Sequence, residues 1–262
     1  MNEIFDKFLT AISKSDLQAA YYLLDHEFGN PVDVKIAAEL KAICTSHFLR
    51  QRTGKLNSLS NLSKSGFIPA LVFDVGAQIG TPELYSVFPE AHHIFIEPVA
   101  ECLPALNQIA SQLRSATVIN CAVSNINGMT SLSLTPSRQY SSIDMEIGGE
   151  SREIEVRTVD SIYEECTIEG PILLKIDVDG IEVKVLKGSK TVLQRDCVVV
   201  IEASMGDENP RFARIVEYLA SYDFDVFDIV DPLYRLSDWH LWQVDLVFVK
   251  KSSSLWGSRN YA

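Results

Sequence analysis

The amino-acid sequence predicts an α/β protein built on a doubly wound, mainly parallel, seven-stranded sheet with an antiparallel edge strand, preceded by an N-terminal helical extension. Three observations predict it. Residues 70–80 (Ala-Leu-Val-Phe-Asp-Val-Gly-Ala-Gln-Ile-Gly) read as a buried strand breaking into a glycine turn. From Phe67 onward, short apolar runs alternate with helical periods. Before that point the chain carries helical periods closed by a polar connection, so it divides into an extension over residues 1–65 and an α/β domain over 66–262.

In the extension, Ile4, Phe5, Phe8, Leu9 and Ile12 share one helical face, and Leu17, Ala20, Tyr21 and Leu24 share another. Gly29 to Pro31 punctuates, and Ile36, Leu40, Ile43 and His47 resume the spacing. Residues 53–66 are polar and serine-rich and read as a connection. The extension is expected to pack on the sheet or on a second subunit, the latter giving a homo-oligomer.

The strand candidates of the main domain are 71–74, 94–97, 117–123, 172–177, 198–202, 224–229 and 244–250, with helices over 82–88, 99–113, 181–194 and 210–222. Residues 129–134 and 153–156 alternate apolar and polar side chains and are expected to pair as a small ribbon. Residues 231–240 read as a loop without a helix, which lets the last strand lie antiparallel at the edge.

Composition bounds the function. A chain of 262 residues that is 47% hydrophobic can bury a large core. No apolar run is long enough to span a bilayer and no signal-peptide pattern opens the chain, so a cytoplasmic location is expected. The five cysteines are scattered without a C-x-x-C pair, as suits core residues in a reducing compartment. A formal net charge of −12 disfavours a nucleic-acid substrate and leaves small molecules or saccharides.

The glycine turn cradles a ligand at the carboxyl edge of the sheet, with Thr81 as N-cap and Pro82 opening the next helix. A dinucleotide fold wants G-x-G-x-x-G, whose second glycine admits the pyrophosphate; here that place is held by Gln78. There is no G-K-[ST] of a P-loop. Asp74, ending the first strand, suits a ligand with a sulfonium and an amino group, which S-adenosylmethionine has. Glu97 ends the second strand 23 positions after Asp74, where a carboxylate can accept ribose hydroxyls from either cofactor.

Several segments, in order, resemble the FkbM-type S-adenosylmethionine-dependent methyltransferases. Residues 73–80 are similar to the family's D-V-G-A-N-x-G loop, with Gln78 for the asparagine, and Phe95 to Pro98 to its F-E-P motif. Residues 120–128 resemble A-V-S-x-x-x-G, and residues 173–188 resemble L-K-I-D-V-E-G-A-E…V-L-x-G, with Asp179 and Ile181 at the glutamate and alanine positions. The resemblance covers residues 67–250 and leaves the extension outside. It implies a class I methyltransferase domain with a Rossmann-like sheet over 66–262. It also implies transfer of a methyl group to a hydroxyl of a sugar, glycolipid or natural product.

The expected cofactor-binding residues are Asp74, Gly76, Ala77, Gln78, Gly80, Glu97, Pro98, Ala122, Val123, Ser142 and Asp177, with Ala122 and Val123 beside the adenine. Asp177, Glu202 and His240 are the candidate catalytic groups. Asp177 and Glu202 end neighbouring strands, and His240 competes as a base because an imidazole's intrinsic pKa lies near neutrality. Tyr234, Trp239 and Trp242 around it form a candidate sugar-stacking platform. Glu182, in the first turn of a helix, is equally explained by the helix dipole. Asp177 and Glu202 could also hold magnesium, but a third oxygen ligand is lacking, so a metal-free site is favoured. Three alternatives stay open: an NAD-dependent oxidoreductase, which lacks a catalytic Ser/Tyr/Lys set here; a non-catalytic methyltransferase-like binding protein; and methylation of a nitrogen or carboxylate in place of a hydroxyl.

Overall fold

The computed structural model describes residues 54–135, 141–143, 150–205, 211–235 and 237–257. The helical readings of residues 1–53 lie outside the described residues. Seven strands form the main sheet in the order β10-β11-β9-β8-β1-β2-β3. They are β1 (Leu71–Val75), β2 (His92–Ile96), β3 (Ala116–Ile119), β8 (Ile172–Ile176), β9 (Cys197–Ser204), β10 (Phe224–Tyr234) and β11 (Leu241–Lys250). Strands β3, β2, β1, β8 and β9 run parallel, and β11 is antiparallel to both β9 and β10. The antiparallel edge is therefore β10 against β11, with the last strand in sequence seated inside the rim. Residues 231–234, read as loop, extend β10 into a long hairpin with β11.

Both faces are covered, as a parallel sheet requires. Leu71, Phe73, Ile172, Leu174, Val199 and Ile201 point into one core. Val72, Leu173, Val198, Val200 and Val247 point into the other. Leu59 and Leu62 cover the second from helix α1 (Lys55–Lys64), fully buried. The serine-rich stretch expected to be a connection is thus a helix belonging with the sheet, because two leucines three residues apart suffice to dock one face.

On the main sheet's flanks lie α2 (Pro82–Val87), α3 (Leu103–Ala110), α4 (Val159–Glu164), α5 (Glu182–Lys187), α6 (Lys190–Gln194) and α7 (Arg211–Ala220). The helix expected over 181–194 is interrupted at Gly188, where a Cβ would stand 2.2 Å from the Ser124 carbonyl oxygen. Helix α4 has no counterpart in the expectations. The segment expected as one strand over 117–123 breaks at Asn120, whose Nδ2 donates to the carbonyls of Glu97 and Pro98 at 2.8 and 3.0 Å. Beyond it β4 (Ala122–Val123) joins a second sheet of order β4-β7-β5-β6. There β5 (Gly128–Leu134) pairs antiparallel with β7 (Glu150–Arg157), the expected ribbon, and β6 (Ser141–Ser142) adds to its far side. Among the described residues no helix is long and apolar enough to cross a membrane.

Candidate active site

The sheet reverses its winding between β1 and β8, which opens a crevice at their carboxyl ends. Gly76 enters it at φ +74°, and a Cβ there would lie 1.9 Å from the Asp177 carbonyl oxygen. Glycine alone lets the loop lie directly on the end of β8. The amides of Gly76 and Ala77 donate to the Ile96 carbonyl at 3.0 and 3.2 Å, tying the loop to β2. Gln78 adopts φ +47°, a conformation that asparagine tolerates better than glutamine. Thr81, expected to cap α2, makes no side-chain cap; its hydroxyl donates to Asp74 Oδ1 at 3.1 Å instead.

Glu97 closes the adjacent side. Its Oε2 accepts from the Gln78 amide at 2.7 Å and its Oε1 from the Val99 amide at 2.9 Å. Burial raises its pKa, opposed by these two donors, which favour the charged form.

The floor is a chain of charged groups on the face covered by α1. Asp74 and Lys175 are direct register partners on β1 and β8, with Nζ 2.9 Å from Oδ1. Lys175 is 3% exposed and Asp74 wholly buried. The same ammonium lies 3.2 Å from Asp177 Oδ2 and donates to the Gly76 carbonyl at 3.1 Å. Burial opposes the charge on Lys175, but the two aspartates outweigh it and raise its pKa. Burial pushes Asp177 upward as well, yet Lys175 holds it below the usual carboxylate range.

Glu202 and Asp245 are likewise register partners, on β9 and β11. Two carboxylates directly opposite each other repel. Lys55, at the start of α1, answers this with Nζ 2.6 Å from Asp245 Oδ2. Burial and the neighbouring Asp177 charge push Glu202 up to about 8, so at neutral pH it is protonated and hydrogen-bonded to Asp177. Gln243 Nε2 donates to the other side of Glu202.

These walls enclose a cavity of about 530 Å³. The loop residues Gly76, Ala77, Gln78 and Gly80 line it, as do Glu97 and Pro98. Ala122, Val123, Asp177 and Glu202 complete the expected set on the far walls. Asp74 lies beneath the floor instead and reaches the cavity only through Lys175 and Thr81. His240 is not brought to the cavity: at the hairpin tip, 75% exposed, it pairs with Asp238 at 3.2 Å. The hairpin carries it past the sheet edge. The side chain of Ser142 lies outside the described residues; its neighbour Ile143 lines the cavity. Glu182 accepts from the Gly180 amide at 2.9 Å and faces Arg211, which matches its helix-end reading.

Sequence reasoning passed over Lys175, Lys55 and Gln243. A lysine amid the apolar strand Ile172–Ile176 was a visible signal, since a buried charge needs partners. Lys55 and Gln243 gave none, because their partners lie 190 and 41 positions away.

A glycine cradle at the winding reversal, a ribose-type carboxylate and a carboxylate-lined cavity define a nucleotide-cofactor enzyme of the Rossmann-like class. Residues 74–226 match the methyltransferase FkbM domain, more than half of the chain. The protein belongs to the FkbM family of S-adenosylmethionine-dependent methyltransferases. No curated protein matches it by sequence. Among solved structures it is similar to precorrin-6y C5,15-methyltransferase from Geobacter metallireducens, at 12% identity over 75% of this chain and 88% of that one, TM-score 0.45. It is also similar to 1,6-didemethyltoxoflavin-N1-methyltransferase from Burkholderia thailandensis, at 14% identity over 81% and 90%, TM-score 0.42. Fibrillarin from Aeropyrum pernix follows at 11% identity over 72% and 74%, TM-score 0.41. Overlap at this level adds nothing to the family assignment.

Proposed function

We propose that the protein uses S-adenosylmethionine to methylate a hydroxyl of a sugar, glycolipid or natural product. The residues fit the cofactor. With no Cβ at Gly76 the loop packs directly on the end of β8 at Asp177, and Gly76, Glu97 and Asp177 all line the same cavity. Glu97 would hold the ribose hydroxyls, the loop and Asp177 the amino acid end, and Cys121 to Val123 the adenine. When bound, the cofactor supplies a methyl group activated by a sulfonium.

The Asp177–Glu202 pair carries the reading of a hydroxyl acceptor. A hydroxyl must give up its proton as its oxygen attacks, and the pair holds one proton between two oxygens that face the cavity. Lys175 keeps Asp177 ionised and fixed for that transfer. Asp177 is already ion-paired and Glu202 protonated toward it, so the pair suits magnesium poorly.

The test begins with calorimetric titration of S-adenosylhomocysteine, with NAD⁺ in parallel. Selective binding of the former is expected; binding of NAD⁺ alone overturns the cofactor. Methyl-labelled S-adenosylmethionine is then offered with hydroxyl, amine and carboxylate acceptors. Label recovered only on nitrogen or on a carboxylate overturns the acceptor chemistry.

A further inference from the structure

We propose that the tip of the β10–β11 hairpin is a saccharide-binding subsite for the methyl acceptor, an inference that rests on the hydroxyl-methylating reading above. Leu233 and Gln243 face each other across the hairpin, and both line the main cavity. Gln243 is hydrogen-bonded to Glu202, so the hairpin leaves the cavity at the proton-accepting pair. Leu233 also lines a second hollow of about 200 Å³ with Tyr234, Arg235 and Trp242. That hollow continues the cavity wall and has room for one ring-sized group.

Beyond it the turn is built to hold an aromatic ring in water. The Arg235 amide donates to the His240 carbonyl at 2.9 Å, and the Trp239 amide to the Arg235 carbonyl at 2.9 Å. Asp238 accepts from Arg235 Nε and Nη2 at 3.1 and 2.6 Å and from the His240 amide at 3.1 Å. Within this frame Trp239 takes φ +61° and is 74% exposed. A bulky residue in the left-handed region is strained, and no burial compensates it, so the strain points to a use.

A saccharide matches what surrounds that ring. Sugar rings present apolar C–H faces to aromatic planes and hydroxyls around their rims. Tyr234 and Trp239 supply exposed planes, Trp242 a plane with the Arg235 guanidinium over one face at 5.7 Å, and Arg235, Asp238 and His240 supply hydrogen-bonding groups among them. An unbroken apolar tip would suit a lipid bilayer; this one is interrupted by Arg235, Asp238 and His240. A net charge of −12 disfavours an anionic membrane or a nucleic acid. His240, remote from the cavity, takes its place here as a hydroxyl partner.

The experiment is saturation-transfer NMR on the full chain with S-adenosylhomocysteine present. The probes are the methyl glycosides of glucose, mannose, galactose and rhamnose, together with maltotriose. At least one should receive saturation from tryptophan protons. Trp239→Gly should weaken that ligand about tenfold while leaving S-adenosylhomocysteine affinity unchanged. It should also raise Tm by about 2–4 °C, because glycine relieves the strained φ. Bound S-adenosylhomocysteine with no saccharide signal overturns the subsite and leaves the donor reading standing. Trp239-dependent binding to neutral phosphatidylcholine vesicles in place of saccharide also overturns it. Absence of S-adenosylhomocysteine binding is the separate failure of the donor reading. An unaltered saccharide affinity in Trp239→Gly places the sugar elsewhere and overturns the proposal.

Discussion

Asp74 and Lys175 stand directly opposite each other on the two central strands, and the ammonium of Lys175 spans from the buried carboxylate below to Asp177 at the cavity floor. The acid near the end of β1 therefore acts on the site through a lysine 101 positions away. Lys175→Met should lower stability by about 3–5 kcal/mol, since it removes the ion-pair partner of the buried Asp74 carboxylate. Asp74→Leu combined with Lys175→Met should recover much of that loss while S-adenosylhomocysteine binding stays weak. Urea denaturation and calorimetry on the same three proteins separate the two effects.

Gly76 is the position least able to change. Gly76→Ala would drive a Cβ against the Asp177 carbonyl from a left-handed backbone. A stability loss above about 2 kcal/mol is expected, with S-adenosylhomocysteine affinity falling beyond detection. Unchanged binding would mean that the loop is not the donor cradle.

Glu97→Gln keeps the size of the side chain but replaces one acceptor oxygen by a donor NH₂. One of the two backbone amides, Gln78 or Val99, then loses its partner. S-adenosylhomocysteine affinity should fall about tenfold or more by calorimetry, with the far-ultraviolet dichroism unchanged.

The pH dependence follows from Glu202. With its pKa pushed up to about 8, loss of its proton above that value leaves a stronger base beside Asp177. Turnover should rise through about pH 8, and Glu202→Gln should flatten that rise. The stability sign is opposite. The unfolded carboxyl ionises near its ordinary value while the folded one keeps its proton, so this residue's contribution declines from there up to about pH 8. Glu202→Gln should remove that part of the decline in a series of urea melts.

Lys55 belongs to the same balance from the other side. Its ammonium pairs with Asp245 and also favours the charged form of Asp177. Asp177 is held below its ordinary value, so its favourable contribution is present above that value and lost as pH falls through the folded pKa. Lys55→Met should raise the Asp177 pKa and move the acid limb of the rate profile to higher pH. A profile that merely scales down, without shifting, would assign Lys55 a packing role only.

Local pattern was enough for much of this protein. The apolar run 71–73, the glycines at 76 and 80 and the carboxylate at 97 announce strand, turn and ribose acid in local sequence. The alternation of residues 129–134 with 153–156 announced the ribbon in the same way. Such signals are legible because side-chain period and turn chemistry are properties of neighbours in the chain. Register is not. Which residue of β8 faces Asp74, and which of β9 faces Asp245, depends on how strands distant in sequence slide into place. That sliding turned Lys175 into the link between floor and cavity and set two carboxylates opposite each other. It also drew the Lys55 ammonium across the sheet face and lifted Glu202 toward neutrality. The hairpin's length decided the rest: it carried His240 out of the cavity and left Leu233 and Gln243 inside it. Electrostatic character, unlike secondary structure, is set by burial and by partners distant in sequence, and those exist only once the sheet has closed.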